Sequence, residues 1–171
     1  MAQQELYAFQ ANDVRAASDP DVSRANIIST VAIPALKRKT TSLSAGGAVG
    51  DVNFAMPQIE APEPKFGTNG PDPAIFSGMA EADQWTFAGA FRKKNGVIVP
   101  AKAIIEGIIT DWEPDEQTPG ELMKCNHSFQ EVTHYEFHLD GSELFYFDWY
   151  ERALRFSGVS LISDINAALG I

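Results

Sequence analysis

The longest regular feature of the chain is an alternation. Across residues 123–139, Lys124, Asn126, Ser128, Gln130, His134, Glu136 and His138 take every second position apart from Val132, and Met123, Cys125, Phe129, Tyr135, Phe137 and Leu139 lie between them. A period of two puts these sets on opposite faces of a strand, one packed and one wet. Glu131 and Thr133 fall on the apolar side of the pattern and predict a bulge or a break there. Asp140-Gly141 then turns the chain into a second strand over residues 143–149. An earlier hairpin is predicted in the same way. Trp85, Phe87, Gly89 and Phe91 alternate with Thr86, Ala88, Ala90 and Arg92, Asn95-Gly96 supplies a two-residue turn, and residues 97–109 return. On that returning strand Val99, Ala101, Ala103 and Ile105 share one side, Lys102 and Glu106 the other.

Shorter patterns fill the remainder. The β-branched run at residues 27–33 reads as a strand stopped by Pro34. Val52, Phe54 and Met56 alternate, but Pro57, Pro62 and Pro64 cannot donate ladder hydrogen bonds, which predicts an edge strand or an extended connection. Between them, Ser44-Ala45-Gly46-Gly47-Ala48-Val49-Gly50 is a turn or mobile loop. Asp72 as cap and Pro73 at the first helical position predict a short helix that covers the core through Ile75, Phe76, Met79 and Ala80. A terminal helix is predicted from Ser160 as cap, Leu161, Ile162, Ile165 and Leu169 at helical spacing, and Gly170 at its end. Residues 1–26 are polar and read as an arm, engaged in an interface or partly disordered, ahead of one domain at residues 27–171. A helical patch over residues 4–17 is compatible with the loose spacing of Leu6, Phe9 and Val14, and Ser18-Asp19-Pro20-Asp21 would end it. The class is mainly β with one or two short helices, without a fixed-period repeat.

Composition narrows the function classes. The 171 residues suffice for one domain with a true core, and 44% hydrophobic with 21% charged residues is a globular balance. Thirteen Lys and Arg against 23 Asp and Glu leave a net charge of -10, which opposes tight binding to phosphates. Cys125 is the single cysteine and forms no internal disulfide. The opening MAQQELYAFQ lacks the basic and apolar regions of a signal peptide, so a cytosolic start is expected. No membrane span is expected, since even the apolar stretch at residues 25–36 is broken by Ser29, Thr30 and Pro34.

Candidate chemistry is sparse. Cys125, His127, His134 and His138 are ligand types that zinc prefers, but on a continuous strand the first two face one side and the last two the other. Asp111, Glu113, Asp115, Glu116 and Glu121 form an acidic run without the spacing of a calcium loop and read as a solvated connection. The glycine loop lacks the Gly-Lys-Ser/Thr of a phosphate cradle, and no nucleophile elbow or placed carboxylate pair occurs. No enzyme, cofactor or metal is expected. Trp85, Trp112 and Trp149 keep open a monomeric β-sandwich binding module with ligand-stacking aromatics, against burial in a core or an interface.

Several strings taken in order carry a resemblance. They are Ile33-Pro34-Ala35-Leu36, Ala45-Gly46-Gly47, Lys65-Phe66-Gly67-Thr68-Asn69-Gly70, Ala90-Phe91-Arg92, Leu139-Asp140-Gly141-Ser142-Glu143-Leu144 and the terminal Leu169-Gly170-Ile171. Over residues 27–171 the chain resembles the major tail tube proteins of contractile-tailed bacteriophages and their relatives in R-type pyocins and contractile injection systems. It departs from their pattern at Ser157-Gly158-Val159-Ser160, where the family has Asn-Gly-Val-Asp. The resemblance implies a β-sandwich or barrel-like tail tube fold. Hexamerisation would join the inner sheets of the subunits into a ring-wide barrel, and stacked rings would form the hollow inner tube through which DNA is ejected.

On that reading Lys124, Asn126, Ser128, Gln130 and Glu136 would face the lumen, and Ala45, Gly46, Gly47, Ala48, Val49 and Gly50 would belong to a hairpin reaching the next ring. The implied partners are further copies of the chain, the tail sheath protein, the tape measure protein, baseplate or terminator proteins at the tube ends, and DNA as a transient cargo, with no membrane. The implied location is the virion tail, after synthesis in the host cytoplasm. A phage-derived particle such as a pyocin would use the same subunit around a lumen without DNA. The acidic excess suits either a wall that repels phosphates or simple solubility and pairing with a basic sheath.

Overall fold

The computed structural model describes residues 5–44, 46–47 and 49–171. In chain order the strands are β1 (Tyr7–Ala16), β2 (Ile28–Ala32), β3 (Arg38–Leu43), β4 (Val52–Ile59) and β5 (Lys65–Asn69), and helix α1 (Pro73–Ala80) follows. Then come β6 (Asp83–Lys93), β7 (Ile98–Ile109), β8 (Glu113–Pro114), β9 (Lys124–Leu139), β10 (Ser142–Asp148), β11 (Ala153–Phe156), β12 (Val159–Ser160) and helix α2 (Ser163–Leu169). The protein is thus mainly β with two short helices, as its alternation predicts.

One large antiparallel sheet runs in the order β1-β6-β7-β9-β10-β11-β12. The N-terminal half of the long β9 leaves this layer to pair with β5, which pairs in turn with β2, and β8 joins β9 on its other side. The chain changes layer where the sequence breaks its alternation. Glu106 pairs with His134 and Ile108 with Gln130, so β9 carries two residues more than β7 across that step, and Glu131 takes a positive φ of 51°. An insertion of two returns the side chains to their original faces, so the polar and apolar sets keep their sides beyond the bulge. Gly107 sits opposite, where a Cβ would lie 2.9 Å from the backbone oxygen of Gln130; the bulge closes because that position has no side chain.

Between the layers lies the core. Phe66, Trp85, Phe87 and Phe129 pack with ring centroids 5.8 to 6.0 Å apart, and Val14, Ile75, Ile105, Ile109, Tyr135, Phe145 and Leu154 extend the cluster. The alternation of β7 is realised as predicted, with Val99, Ala101, Ala103 and Ile105 buried. Helix α1 starts as its sequence demands: the Asp72 side chain accepts from the Ala74 N–H at 2.9 Å, and Pro73 needs no partner. Its apolar set is split, since Ile75 is buried and Phe76 is not.

Three expectations are corrected. The helical patch compatible with residues 4–17 does not form; Gln4 lies outside the described residues, and residues 7–16 are strand β1, antiparallel to β6 from Tyr7↔Lys93 to Ala16↔Trp85. Val14 and Ala16 are buried there, so tertiary pairing overrides a weak local pattern. The Asn95-Gly96 hairpin forms, but not with a two-residue turn. Lys93 accepts from Gly96 N–H at 2.9 Å and donates to Val97 O at 2.8 Å, and only Gly96 is left-handed, at φ 88°, which makes a three-residue loop closed by a glycine bulge. At the second hairpin Asp140 and Gly141 both have positive φ, 52° and 78°, the two-residue geometry that twisted strands favour. Finally, α2 begins three residues after its expected cap. The Ser160 hydroxyl accepts from the Ile162 and Ser163 N–H groups, Gly170 ends the helix in the left-handed region, and none of the helix residues is buried.

Candidate assembly surfaces

The large sheet has one face covered and one bare. Its covered face meets β2, β5 and α1 through the aromatic core. The other face carries a two-dimensional array of polar side chains set by the strand registers: Glu106, His134 and Asp148 in one row, Glu136, Tyr146 and Arg155 in the next, Lys102, His138 and Glu143 in a third. His134 lies between two carboxylates, its Nδ1 3.0 Å from Asp148 and its Nε2 3.1 Å from Glu136. Glu136 reaches His138 Nε2 with its second oxygen at 2.8 Å. Arg155 donates to both Glu143 oxygens, at 3.1 and 2.9 Å, and stacks 3.7 Å from the Tyr146 ring centre. That guanidinium holds the Glu143 carboxyl below the usual carboxylate range. Burial first, and then the hydrogen bond to Glu151, push the Tyr146 hydroxyl up to about 12. A face this rich in paired charge is built to meet water.

The residues expected along the lumen lie on one side of β9 without forming one uninterrupted row. Lys124, Asn126 and Gln130 are exposed, Ser128 and Glu136 are half-buried. Asn126 and Ser128 join Lys65, Asp111 and Glu113 around a cleft of about 200 Å³ beyond the bulge, where Ser128 donates to Asp111. Glu136 lies on the main sheet in the histidine array. The sequence pattern singled out neither Arg155 nor Tyr146 and Asp148; only the β9–β10–β11 registers bring them to Glu136 and His134.

Two open edges bound the sheet. Along one side β1 is the edge strand and pairs with no second strand, its outer backbone being engaged only near its end, where Ala16 bridges Asp19 and the Val14 carbonyl accepts from Arg24; along the other the sheet ends in the two-residue β12. A further surface stands apart from both. Strands β3 and β4 pair only with each other, and their register, with Leu43 opposite Val52 and Thr41 opposite Phe54, gathers Leu43, Val52 and Phe54 on one face and Thr40, Ser42, Asn53 and Ala55 on the other. Leu43, Val52 and Phe54 are more than half exposed, at 57%, 55% and 52%, and Met56 further along the same face is exposed as well. An isolated two-stranded hairpin is marginal in water, so such a face calls for a partner. Gly46, Gly47, Val49 and Gly50 lie at its tip; Ala45 and Ala48 lie outside the described residues.

The remaining candidates separate. Cys125 and His127 are buried on the core side of β9, His134 and His138 lie on the polar side, as the pleat requires. Trp85 is in the core, Trp112 packs on Phe76 with centroids 5.5 Å apart, and Trp149 is exposed at the β10–β11 turn beside Tyr150, so the three do not share one surface. No helix among the described residues is long and apolar enough to cross a membrane.

Buried His127 carries a pH dependence. Its Nε2 lies 3.2 Å from Thr68 Oγ1, and burial holds its pKa below the ordinary imidazole value, against smaller opposing pulls from the Asp111 backbone and the Asp72 charge. The unfolded chain therefore takes up a proton before the folded one does as pH falls. Stability is full above the unfolded value of 6.5 and declines below it, by up to about 1.4 kcal/mol per pH unit, until the folded pKa is passed. His127→Gln is expected to flatten the slope of unfolding free energy between pH 6.5 and 5 in urea titrations; an unchanged slope would assign it to other groups.

A family model described as phage tail tube protein FII matches residues 21–170. Among solved structures, a chain in the cryo-EM structure of the anti-feeding prophage (AFP) baseplate, 6-fold symmetrised, has a similar fold: TM-score 0.51, 9% identity, 81% of this chain and 95% of that one covered. Hcp1 from Salmonella typhimurium aligns at a TM-score of 0.48 and 12% identity over 85% of this chain and 100% of its own. No curated protein sequence matches.

Proposed function

Because the chain belongs to the phage tail tube protein FII family and is a structural subunit of a tail tube, we propose that it closes into hexameric rings which stack into the hollow inner tube of a contractile tail. The observation that carries this reading is the large sheet itself, open along both edges and bare on one polar face. A sheet with a long open edge is an aggregation hazard unless the edge is used, and a heterologous contact that closes by rotation uses both edges in a ring. Joined in this way, six sheets make a barrel whose core-covered side faces outward and whose polar side faces the lumen. Glu136 with its histidines, Glu106, Asp148 and Lys102 then line the wall, and Lys124, Asn126, Ser128 and Gln130 continue it along β9 past the bulge. A wall of paired charges with a carboxylate surplus binds phosphate poorly, which suits DNA in transit.

Residues 1–26 take part through β1, one of the two ring-closing edges, and residues 27–171 form the tube domain. The hairpin of β3 and β4, with Gly46, Gly47, Val49 and Gly50 at its tip, reaches the next ring with the face of Leu43, Val52 and Phe54. The sheath covers the outer surface, baseplate or terminator proteins close the tube ends, and the tape measure protein passes within. The particle is the virion tail, assembled from subunits made in the host cytoplasm. No catalytic step is assigned to any residue.

The test is direct. Purified chain concentrated at low ionic strength is expected to elute as rings or longer assemblies and to show a central hole under negative stain. A strictly monomeric species across the concentration range would overturn the reading.

A further inference from the structure

The strands of the large sheet have chemically different ends. Strand β6 finishes in Arg92 and Lys93, Lys94 follows in the turn, and β7 starts back from the same end. After twelve residues, about 40 Å at 3.3 Å per residue, β7 delivers the chain to residues 111–121 at the opposite end. Those eleven residues hold Asp111, Glu113, Asp115, Glu116 and Glu121 and no Lys or Arg. Among the described residues none of the five is ion-paired, and neither are Arg92 and Lys94, which are exposed. Lys93 is shared between Glu5 at 3.0 Å and Asp140 at 3.2 Å, so two acids at the cationic end are already occupied. Exposed apolar side chains accompany both ends: Leu6, Val97 and Ile98 beside the cations, Leu122 beside the carboxylates.

Subunits of net charge -10 repel one another at long range. Stacking them needs local opposites, and the topology places these at the two ends of the same strands. We propose that the two strand ends are complementary docking surfaces for a second copy of this chain, the turn at residues 92–94 of one ring meeting the acidic stretch at residues 111–121 of the next. The inference rests on the ring reading above and deepens it. Strand ends form the rims of a barrel, so one rim is cationic and the other anionic. Turn-to-turn stacking would oppose two cationic rims, and acid-to-acid stacking two anionic ones; only the head-to-tail order pairs opposites, which gives the tube a direction.

Charge reversal tests it. R92E/K94E makes both rims acidic and is expected to leave single rings that melt like wild type but lose at least tenfold in ring stacking, measured by sedimentation and negative stain. D115K/E116K should fail in the same way alone. An equimolar mixture of the two variants, or one chain carrying all four substitutions, should stack again. Wild-type tubes should also shorten as salt rises from 0.05 to about 1 M, where the Debye length falls to about 3 Å. Stacking of R92E/K94E equal to wild type, failure of the fourfold variant to stack despite intact rings, or stacking indifferent to salt would each overturn the rim pairing while leaving the ring reading in place. Absence of rings from wild-type protein would overturn both.

Discussion

Replacing Arg24 by alanine is expected to lower the unfolding free energy by about 3–5 kcal/mol, the loss typical of breaking a buried ion pair from one side. Arg24 is 1% exposed and ion-pairs with Asp72, which is 8% exposed and whose other oxygen caps α1 through the Ala74 N–H. Its guanidinium also donates to the Val14 and Val22 carbonyls, at 3.5 and 3.4 Å, and lies 5.4 Å from the centre of the Trp85 ring. One side chain therefore joins the segment after β1, the start of α1 and the largest core aromatic. Alanine would leave the Asp72 carboxylate in the core without its cation and open a void over Trp85. In a chain of this size each kcal/mol moves the midpoint by about 2–4 °C, so thermal melts should show a fall on the order of 10 °C. The double variant R24M/D72N, which removes both charges, should recover much of that loss. A shift below about 2 °C for Arg24→Ala would mean that the pair contributes little. Deleting residues 1–26 should be more damaging still, because it also strips β1 and Val14 from the sheet.

The second large effect concerns assembly and spares the fold. Val52→Ser with Phe54→Glu changes two exposed side chains of a hairpin that pairs with no other strand and touches the core only at its base, through Ile59, so the melting temperature of the isolated subunit should stay within a few degrees. Full burial of an apolar side chain is worth about 1.5–3 kcal/mol. Two such losses in every subunit, multiplied around a ring, should abolish tube growth and leave rings or smaller species in negative stain. Tubes of normal length from this variant would show that the apolar face of the hairpin is not an inter-ring contact. A subunit that melted early would instead place that face in the fold, contrary to its exposure.

The two experiments probe features that differed in how readily the sequence disclosed them. Of the hairpin of β3 and β4, the alternation of Val52, Phe54 and Met56 and the glycine-rich turn before it are local signals, while the strand at Arg38–Leu43 carries no such pattern and the hairpin as a whole was implied only by the resemblance. Arg24 could not be anticipated. Nothing in the polar stretch around Ser18-Asp19-Pro20-Asp21 marks one arginine for burial; that depends on Asp72, 48 residues away, and on a stacking partner in another strand. The same holds for the polar face. Alternation placed His134 and Glu136 on one side of β9, but Asp148 opposite the first, Tyr146 opposite the second and Arg155 beyond Tyr146 arrive through hairpin registers, one with a shift between Glu143 and Phe145, that no local pattern specifies.

By itself the amino-acid order determined what short-range physics determines. It set the side of each residue on β7 and β9, the bulge near Glu131, the Asp72-Pro73 start of α1, the left-handed end of α2 at Gly170 and, through scattered strings, the tail tube family. Tertiary structure alone decided that residues 7–16 are a strand, that Arg24 is a core residue, that Asn95-Gly96 turns with three residues, and which charges meet across the sheet. The physical reason is range. A pleat or a cap is settled by neighbours a few positions apart, whereas a strand with weak alternation, or a buried charge, is stabilised only by groups that folding brings from far along the chain.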